Sequence, residues 1–287
     1  MRIACIIMAH KEPRQLERFI RTFQHEGFDF YLHIDRKADA ASFRYLENLP
    51  GVYLVKNTIP IRWASYNFFR AIVLSLQEAV SSGKKYDYVS VMSGQDYLLR
   101  PAKEWFDYLS ENNGKNFICY EDDGEWWKHA ISRIRKYHLT NWGFRGRYRL
   151  QNILNAVLPE RKFPLPFRLY GGPRAMCMTI TRPAAEYVIR FLKEDKQLRR
   201  FLRFTWGPDE FVFPTVLMNS AFRSSIVNEN FYYIDWTKGG ANPKTFTSAD
   251  YEALVASGKF LARKFDITLD SDILDRLDRQ RDYRGSV

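Results

Sequence analysis

The chain has 287 residues, 46% hydrophobic and 16% aromatic, with 44 Lys and Arg against 33 Asp and Glu for a net charge of +11. This composition excludes a disordered tail, a collagen-like repeat and a disulfide miniprotein. Roughly three quarters of the extended surface of a chain this long can be buried, in one large domain or two closely joined ones.

The apolar run Ile3–Ala9 is closed by His10, Lys11 and Glu12 and is far too short to span a membrane. No small-residue cleavage site follows it, so it reads as a first strand and not as a signal. Leu16, Phe19, Ile20 and Phe23 recur at i, i+3, i+4 and i+7 and predict a helix before a second strand, Phe28–Ile34. Further strands are predicted at 52–55, 86–92 and 117–120, separated by a helix over 65–79 and another opened by Pro101. Apolar strands alternating with helical patterns are the mark of βαβ units over a mostly parallel sheet.

Residues 122–170 are aromatic, basic and poor in clean periodicity, and read as a subregion inserted over the sheet edge. Between 128 and 168 the chain carries ten Lys or Arg against one acid, Glu160, which is +9 of the +11. Such a segment suits an anionic partner, whether a membrane surface, a phosphate-bearing substrate or nucleic acid; equally, it is a solvated basic face. A strand at 175–180, a helix from Pro183, a helix opened by Pro208, a strand at 231–234 and two short helices near Ser248 and Asp270 complete the prediction. Three widely spaced cysteines, Cys5, Cys119 and Cys177, in no C-x-x-C pairing, point to a reducing compartment and away from a structural zinc site.

Ligands of open α/β sheets sit at the carboxyl ends of the strands. Those ends read Ala9-His10-Lys11, His33-Ile34-Asp35, Ser93-Gly94-Gln95-Asp96 and Glu121-Asp122-Asp123. No G-x-G-x-x-G follows the first strand, and neither G-x-x-x-x-G-K-[ST] nor G-x-S-x-G occurs, which removes the main support for a dinucleotide oxidoreductase, a P-loop nucleotidase and a common hydrolase. Asp35 can accept from a ribose or a base, or cap a turn. Asp96 can orient a sugar hydroxyl or cap the turn that follows it. Trp206-Gly207-Pro208-Asp209-Glu210 places two carboxylates beside a helix start and an indole, a pattern that also serves plain helix-dipole complementarity. Lys244 and Lys264 fall in loops from which two cations can clamp a diphosphate, or merely be solvated.

Six segments in order carry a resemblance over most of the chain: Ala9-His10-Lys11; Tyr31-Leu32-His33-Ile34-Asp35-Arg36-Lys37; Trp63-Ala64-Ser65; Ser93-Gly94-Gln95-Asp96-Tyr97-Leu98; Gly207-Pro208-Asp209-Glu210-Phe211; and Phe260-Leu261-Ala262-Arg263-Lys264-Phe265-Asp266. Together they resemble the core-2/I-branching family of β-1,6-N-acetylglucosaminyltransferases and their peptide-xylosyltransferase relatives. The resemblance implies a GT-A-like (Rossmann-like) α/β fold, a mostly parallel sheet flanked by helices, and inverting transfer from a UDP-sugar, in many members without a divalent metal. It implies Glu210 as the catalytic base. His10, Asp35, Trp63, Lys244 and Lys264 fall on the donor side, Asp35 as the uridine contact and the two lysines toward the diphosphate. Glu125, Arg133, Asp209 and Trp236 fall on the acceptor side. Gly207 stands where the family often has a small hydroxyl residue.

The expectation is therefore a single glycosyltransferase domain, with residues 1–121 as the nucleotide-sugar half and 122–287 as the acceptor and catalytic half. GlcNAc is the expected donor sugar, with xylose as the alternative. No metal is expected, although Glu121, Asp122 and Asp123 are of a type that holds Mg²⁺ or Mn²⁺. The resemblance also implies a bacterial-type, cytoplasmic member acting on a glycan or lipid-linked glycan, peripheral at the inner face of a membrane through residues 128–168. A reading from another class, nucleic-acid binding with Trp126, Trp127, Tyr137 and Trp142 as stacking surfaces, lacks any recognised module.

Overall fold

The computed structural model describes residues 1–285 other than 24, 123, 238 and 241, with side chains as far as residue 282. Strand β1 (Ile3–Ala9) lies parallel to β2 (Phe28–Ile34), in register from Ile3 opposite Phe28 to Ala9 opposite Ile34. Every residue of both strands is buried, and burial on both faces is why β1 is a continuous apolar run and not an alternating one. Helix α1 (Pro13–Arg21) joins them, with Pro13 in its first turn, where a missing N–H costs nothing. Strand β3 (Val52–Leu54) adds to β2 in parallel. Helix α2 (Tyr66–Val80) begins at Ser65, whose hydroxyl accepts from the Phe68 N–H at 3.3 Å and satisfies one of the open donors of the first turn.

Strands β4 (Tyr88–Ser93) and β5 (Asp96–Leu98) follow, both buried, then α3 (Ala102–Glu111) with Trp105 and Leu109 inward, and the short β6 (Asn116–Phe117). Residues 122–170 contain two helices, α4 (Glu125–Arg135) and α5 (Arg147–Val157). The strand predicted at 175–180 is shorter and later, β7 (Thr179–Thr181), because the chain turns over residues 173–176 after Gly171-Gly172. Ala175, Met176 and Cys177 are buried all the same, so their apolar run reflects packing and not pairing.

Helices α6 (Arg182–Glu194) and α7 (Lys196–Leu202) start at Thr181 and Asp195, whose side chains accept from Ala184 and Leu198 N–H groups. The helix expected from Pro208 is broken in two: a 3₁₀ turn, Pro208–Glu210, ends at Phe211, whose φ of −142° is not helical, and α8 (Val212–Met218) starts afresh. The remainder is β8 (Ile226–Val227), β9 (Tyr232–Ile234), α9 (Tyr251–Ala256), β10 (Leu261–Arg263) and α10 (Asp272–Gly285), the last longer than the short helix expected near Asp270.

The larger sheet has seven strands in the order β3-β2-β1-β4-β7-β6-β8, mostly parallel, with β6 antiparallel to β7 and parallel to β8. This is the α/β arrangement expected, a mostly parallel sheet flanked by helices. A second, three-stranded sheet runs β5-β10-β9, with β10 antiparallel to β5 and parallel to β9. By contacts the chain falls into two compact units that interleave in sequence: one of Met1–Val55, Ser90–Gly114 and Phe231–Val287, the other of Lys56–Val89 and Lys115–Asn230. The expected division at residue 121 runs through the second of these.

The basic segment is less exposed than its sequence suggests. Arg161 is buried and donates to the carbonyls of Lys136 at 3.0 Å and Phe204 at 2.6 Å, to that of Phe201, and to the Thr205 hydroxyl at 3.2 Å. Burial lowers its guanidinium to about 10. It is a brace between the segment and the end of α7, and contributes nothing to a surface patch.

Candidate active site

In the first unit, the carboxyl ends of β1 and β2 and the segment after β10 gather charged side chains. Asp35 directly follows β2; its N–H donates to the Ala9 carbonyl at 2.8 Å, which holds it against the end of β1. Its carboxylate accepts from the Lys37 N–H at 3.0 Å and lies 3.4 Å from the Lys37 ammonium. It therefore closes a turn as well as sitting at a strand end. His10 feels the charges of Lys11, Asp35, Lys37 and Lys264; burial and the three cations hold its imidazole below its ordinary value against the pull of Asp35.

Lys264 directly follows β10. Its N–H faces the Lys244 carbonyl at 3.4 Å, and its own carbonyl accepts from the Phe246 N–H at 2.9 Å, so the backbones of the two lysines run side by side. Their side chains differ. Lys244 is ion-paired with Asp250, which raises its ammonium above the ordinary value. Lys264 has no ion-pair partner among the described residues, and burial, followed by the Arg263 and Lys11 cations, lowers its ammonium. Lys11, which the sequence presents only as part of a motif, pairs with Asp266 at 2.5 Å. Asp96 is fully buried and spent on structure: it accepts from the Ser93 N–H at 2.8 Å and hydroxyl at 2.6 Å, and from the Tyr232 hydroxyl at 2.9 Å. Trp236 follows β9 one residue after Asp235, whose carbonyl accepts from the Lys244 N–H at 2.8 Å. Its buried indole N–H has no hydrogen-bond partner among the described residues.

In the second unit the centre is the turn Gly207–Glu210. Gly207 has φ +64°, a left-handed conformation that suits glycine, and its N–H donates to the Ala64 carbonyl at 2.8 Å. Two motifs far apart in sequence, Trp63-Ala64-Ser65 and Gly207-Pro208-Asp209-Glu210, are thereby joined. Trp63 and Trp206 meet edge to face with ring centres 5.9 Å apart, and Trp63 remains 55% exposed. A Cβ on Gly171 would lie 2.6 Å from that of Phe211 and 2.8 Å from the Glu210 carbonyl; without one, the backbones approach closely enough for Gly172 N–H to donate to that carbonyl at 2.9 Å.

The two carboxylates of this turn separate. Asp209 is buried, whereas Glu210 is part-buried and ion-paired with Arg133 of α4. The Arg133 guanidinium lies 4.3 Å over the Trp206 ring and 5.3 Å from that of Trp126. Burial raises the Glu210 carboxyl above its ordinary value, and Arg133 pulls it back only in part. Glu125 opens α4 but is exposed, paired with Lys128. The Arg133–Glu210 pairing and the role of Trp206 in it were not legible from spacing, although Trp206 stands in the motif itself. Among the described residues no group of three His, Cys, Asp or Glu is placed to hold a metal ion. Asp122 pairs with Arg168 at 3.0 Å, and Asp123 lies outside the described residues.

The Core-2/I-Branching enzyme family matches residues 3–256, and the chain belongs to it. Xylosyltransferase 2 of Rattus norvegicus and that of Homo sapiens are each 27% identical over 309 residues, covering 97% of this chain and 33% of theirs. Xylosyltransferase oxt of Drosophila melanogaster is 23% identical over 302 residues with the same coverage. The chain thus spans about a third of the length of the curated relatives it matches. Among solved structures, the apo WbbM bifunctional glycosyltransferase aligns with a TM-score of 0.39 at 11% identity, over 92% of this chain and 45% of that one.

Proposed function

We propose that the chain transfers a sugar, with inversion, from a UDP-sugar to a hydroxyl of a glycan or lipid-linked glycan. Glu210 takes the acceptor proton as the hydroxyl oxygen bonds to the anomeric carbon. The bond from that carbon to the diphosphate oxygen breaks, and its electron pair leaves on UDP. Lys264 and Lys244, with Lys11 and Lys37 nearby in sequence or charge, meet the charge that develops on the diphosphate, a role that needs fixed cations in a site with little water. Asp35 receives the uridine, with His10 beside it. Trp63 and Trp236 offer ring faces to the substrates, and Arg133 and Asp209 set the surroundings of the base.

The observation that carries this reading is the setting of Glu210. A general base works best with a pKa brought up toward the working pH, and partial burial does that, while Arg133, itself held over the Trp206 ring, keeps a fraction ionised. GlcNAc is the donor in this reading; xylose is the second, favoured by the relatives named xylosyltransferase.

Turnover of UDP-GlcNAc and UDP-xylose, measured side by side with Glu210→Gln, tests both. The variant is expected to bind UDP nearly as the parent does and to lose about a hundredfold or more in kcat. Near-normal turnover by the variant would remove Glu210 as the base, and the faster of the two sugars fixes the donor.

A further inference from the structure

Helix α5 is built inside out. Its inward side is held by polar groups: the Gln151 side-chain oxygen accepts from the Leu139 N–H at 2.9 Å, and Asn155 both accepts from the Tyr137 N–H at 2.7 Å and donates to its carbonyl at 2.9 Å. Arg147 donates to the Trp142 carbonyl at 2.8 Å. No residue of α5 is buried. The apolar stripe that a surface helix normally turns to the core faces solvent instead: Leu150, Ile153 and Val157, spaced i, i+3 and i+7, are 41%, 58% and 76% exposed. Leu158, at the end of the helix, and Phe144, before it, are exposed as well.

The surroundings of the stripe are cationic. Arg145 and Arg149 are exposed beside it, and Arg135, Lys136 and Lys162 are exposed in the flanking segments. No Asp or Glu occurs between Glu125 and Glu160. An apolar stripe rimmed by arginine is the pattern of a helix that lies in a lipid interface, with its side chains in the headgroup–acyl boundary and its cations on lipid phosphates. We propose that α5 docks the protein on an anionic lipid surface. A second copy is a poorer occupant: an isologous pairing of two such faces brings Arg145 and Arg149 of both chains together, and residues 126–159 of neither chain hold a carboxylate to neutralise them. No helix among the described residues is long and apolar enough to cross a membrane, so this contact is peripheral. The inference goes beyond the transferase reading and does not depend on it.

The test is flotation of the full chain with vesicles of phosphatidylcholine, with and without phosphatidylglycerol. The parent is expected to float with the anionic vesicles, less so as salt rises. The double variant Ile153→Asp with Val157→Asp is expected to lose at least about tenfold in partitioning, at an unchanged melting temperature, since both side chains are exposed. Failure of the parent to float with anionic vesicles overturns the proposal, as does equal flotation of the variant. A parent that sediments as a dimer, with the Asp variant a monomer, assigns the face to a second copy and overturns it too. UDP affinity measured on the same samples reads the donor site separately, so loss of one reading is not mistaken for loss of the other.

Discussion

Arg133 donates to the carboxylate of Glu210 while its guanidinium lies 4.3 Å over the centre of the Trp206 ring, so a single cation is shared between an acid and an indole that belong to the same short segment. The pair is out of bulk water on both sides, with 16% and 18% of the two side chains exposed. Glu210 is thus governed by a residue 77 positions away in the chain.

Arg133→Ala removes the influence that opposes burial at Glu210, so its carboxyl rises further. The acid limb of the kcat/KM profile is expected above the ordinary glutamate value of 4.5 in the parent and higher still in the variant. The sign for stability is fixed by the same shift. A carboxyl raised in the folded state contributes stability that is present at low pH and lost as pH rises through its folded pKa, so the variant's melting temperature is expected to fall more steeply with pH. Identical acid limbs would show that Arg133 does not act on the base.

Gly207→Ala tests the turn. Its φ of +64° strains any Cβ, and that atom would lie 3.0 Å from the Arg133 guanidinium and 3.7 Å from the Glu210 carboxylate. Gly83→Ala is the control, with φ +83° and nothing within 4 Å. Both are expected to cost about 1–2 kcal/mol from the backbone, measured by urea unfolding, but only Gly207→Ala should also lower kcat. Equal activity in the two variants would disconnect the turn from the chemistry.

Lys264→Ala is expected to weaken UDP more than uridine, because only UDP carries the diphosphate. Binding of the negatively charged diphosphate also offsets the cations that hold His10 below its ordinary value of 6.5, so His10 is expected to take up a proton on UDP binding as pH falls into the range below 6.5. Calorimetry in two buffers of different ionisation heat measures the uptake. Uptake that persists in His10→Gln would assign it to another group.

Asp278 of α10 is the hub of a tie within the first unit. It accepts from Arg18 at 2.9 and 2.6 Å, from the Tyr97 hydroxyl at 2.7 Å and from Arg281 at 2.5 Å. These donors lower its carboxyl below the ordinary 3.8, although burial pushes the other way. The stability it contributes is therefore present above 3.8 and lost as pH falls below it. Asp278→Asn is expected to cost about 2 kcal/mol at neutral pH, and the deficit should shrink toward acid pH. A deficit independent of pH would mean that charge is not its source.

The sequence was legible where one force decides the structure. Ile3–Ala9 was placed residue for residue because a strand buried on both faces reads as a continuous apolar run, and Phe28–Ile34 because its apolar residues outnumber the buried Asp29 and His33; Ser65 marks a helix start by local chemistry. It failed where packing overrides pattern. Helix α5 has no inward apolar stripe to be recognised, and α10 is a charged helix held by Arg18 and Tyr97 from distant segments. In the same way, the resemblance separates Glu210 from Asp209 by role, but the pairing of Glu210 with Arg133 and the burial of Asp209 come only from the fold. Trp63 and Lys264, both expected on the donor side, lie in different compact units, which no local motif could have told.

The three-segment make-up of the first unit has a consequence for biosynthesis. Its small sheet needs Leu261 opposite Leu98 and Tyr232, and its helical tie needs Asp278 opposite Arg18. Pairings between residues so far apart close slowly and late. On the ribosome, all residues of the second unit, which ends at Asn230, are made before the first unit has its final segment, although β1 and β2 were made first. Strand β5 must therefore wait, without its partner β10, until the last fifth of the chain arrives, and this interval is when the nascent protein depends most on protection from aggregation.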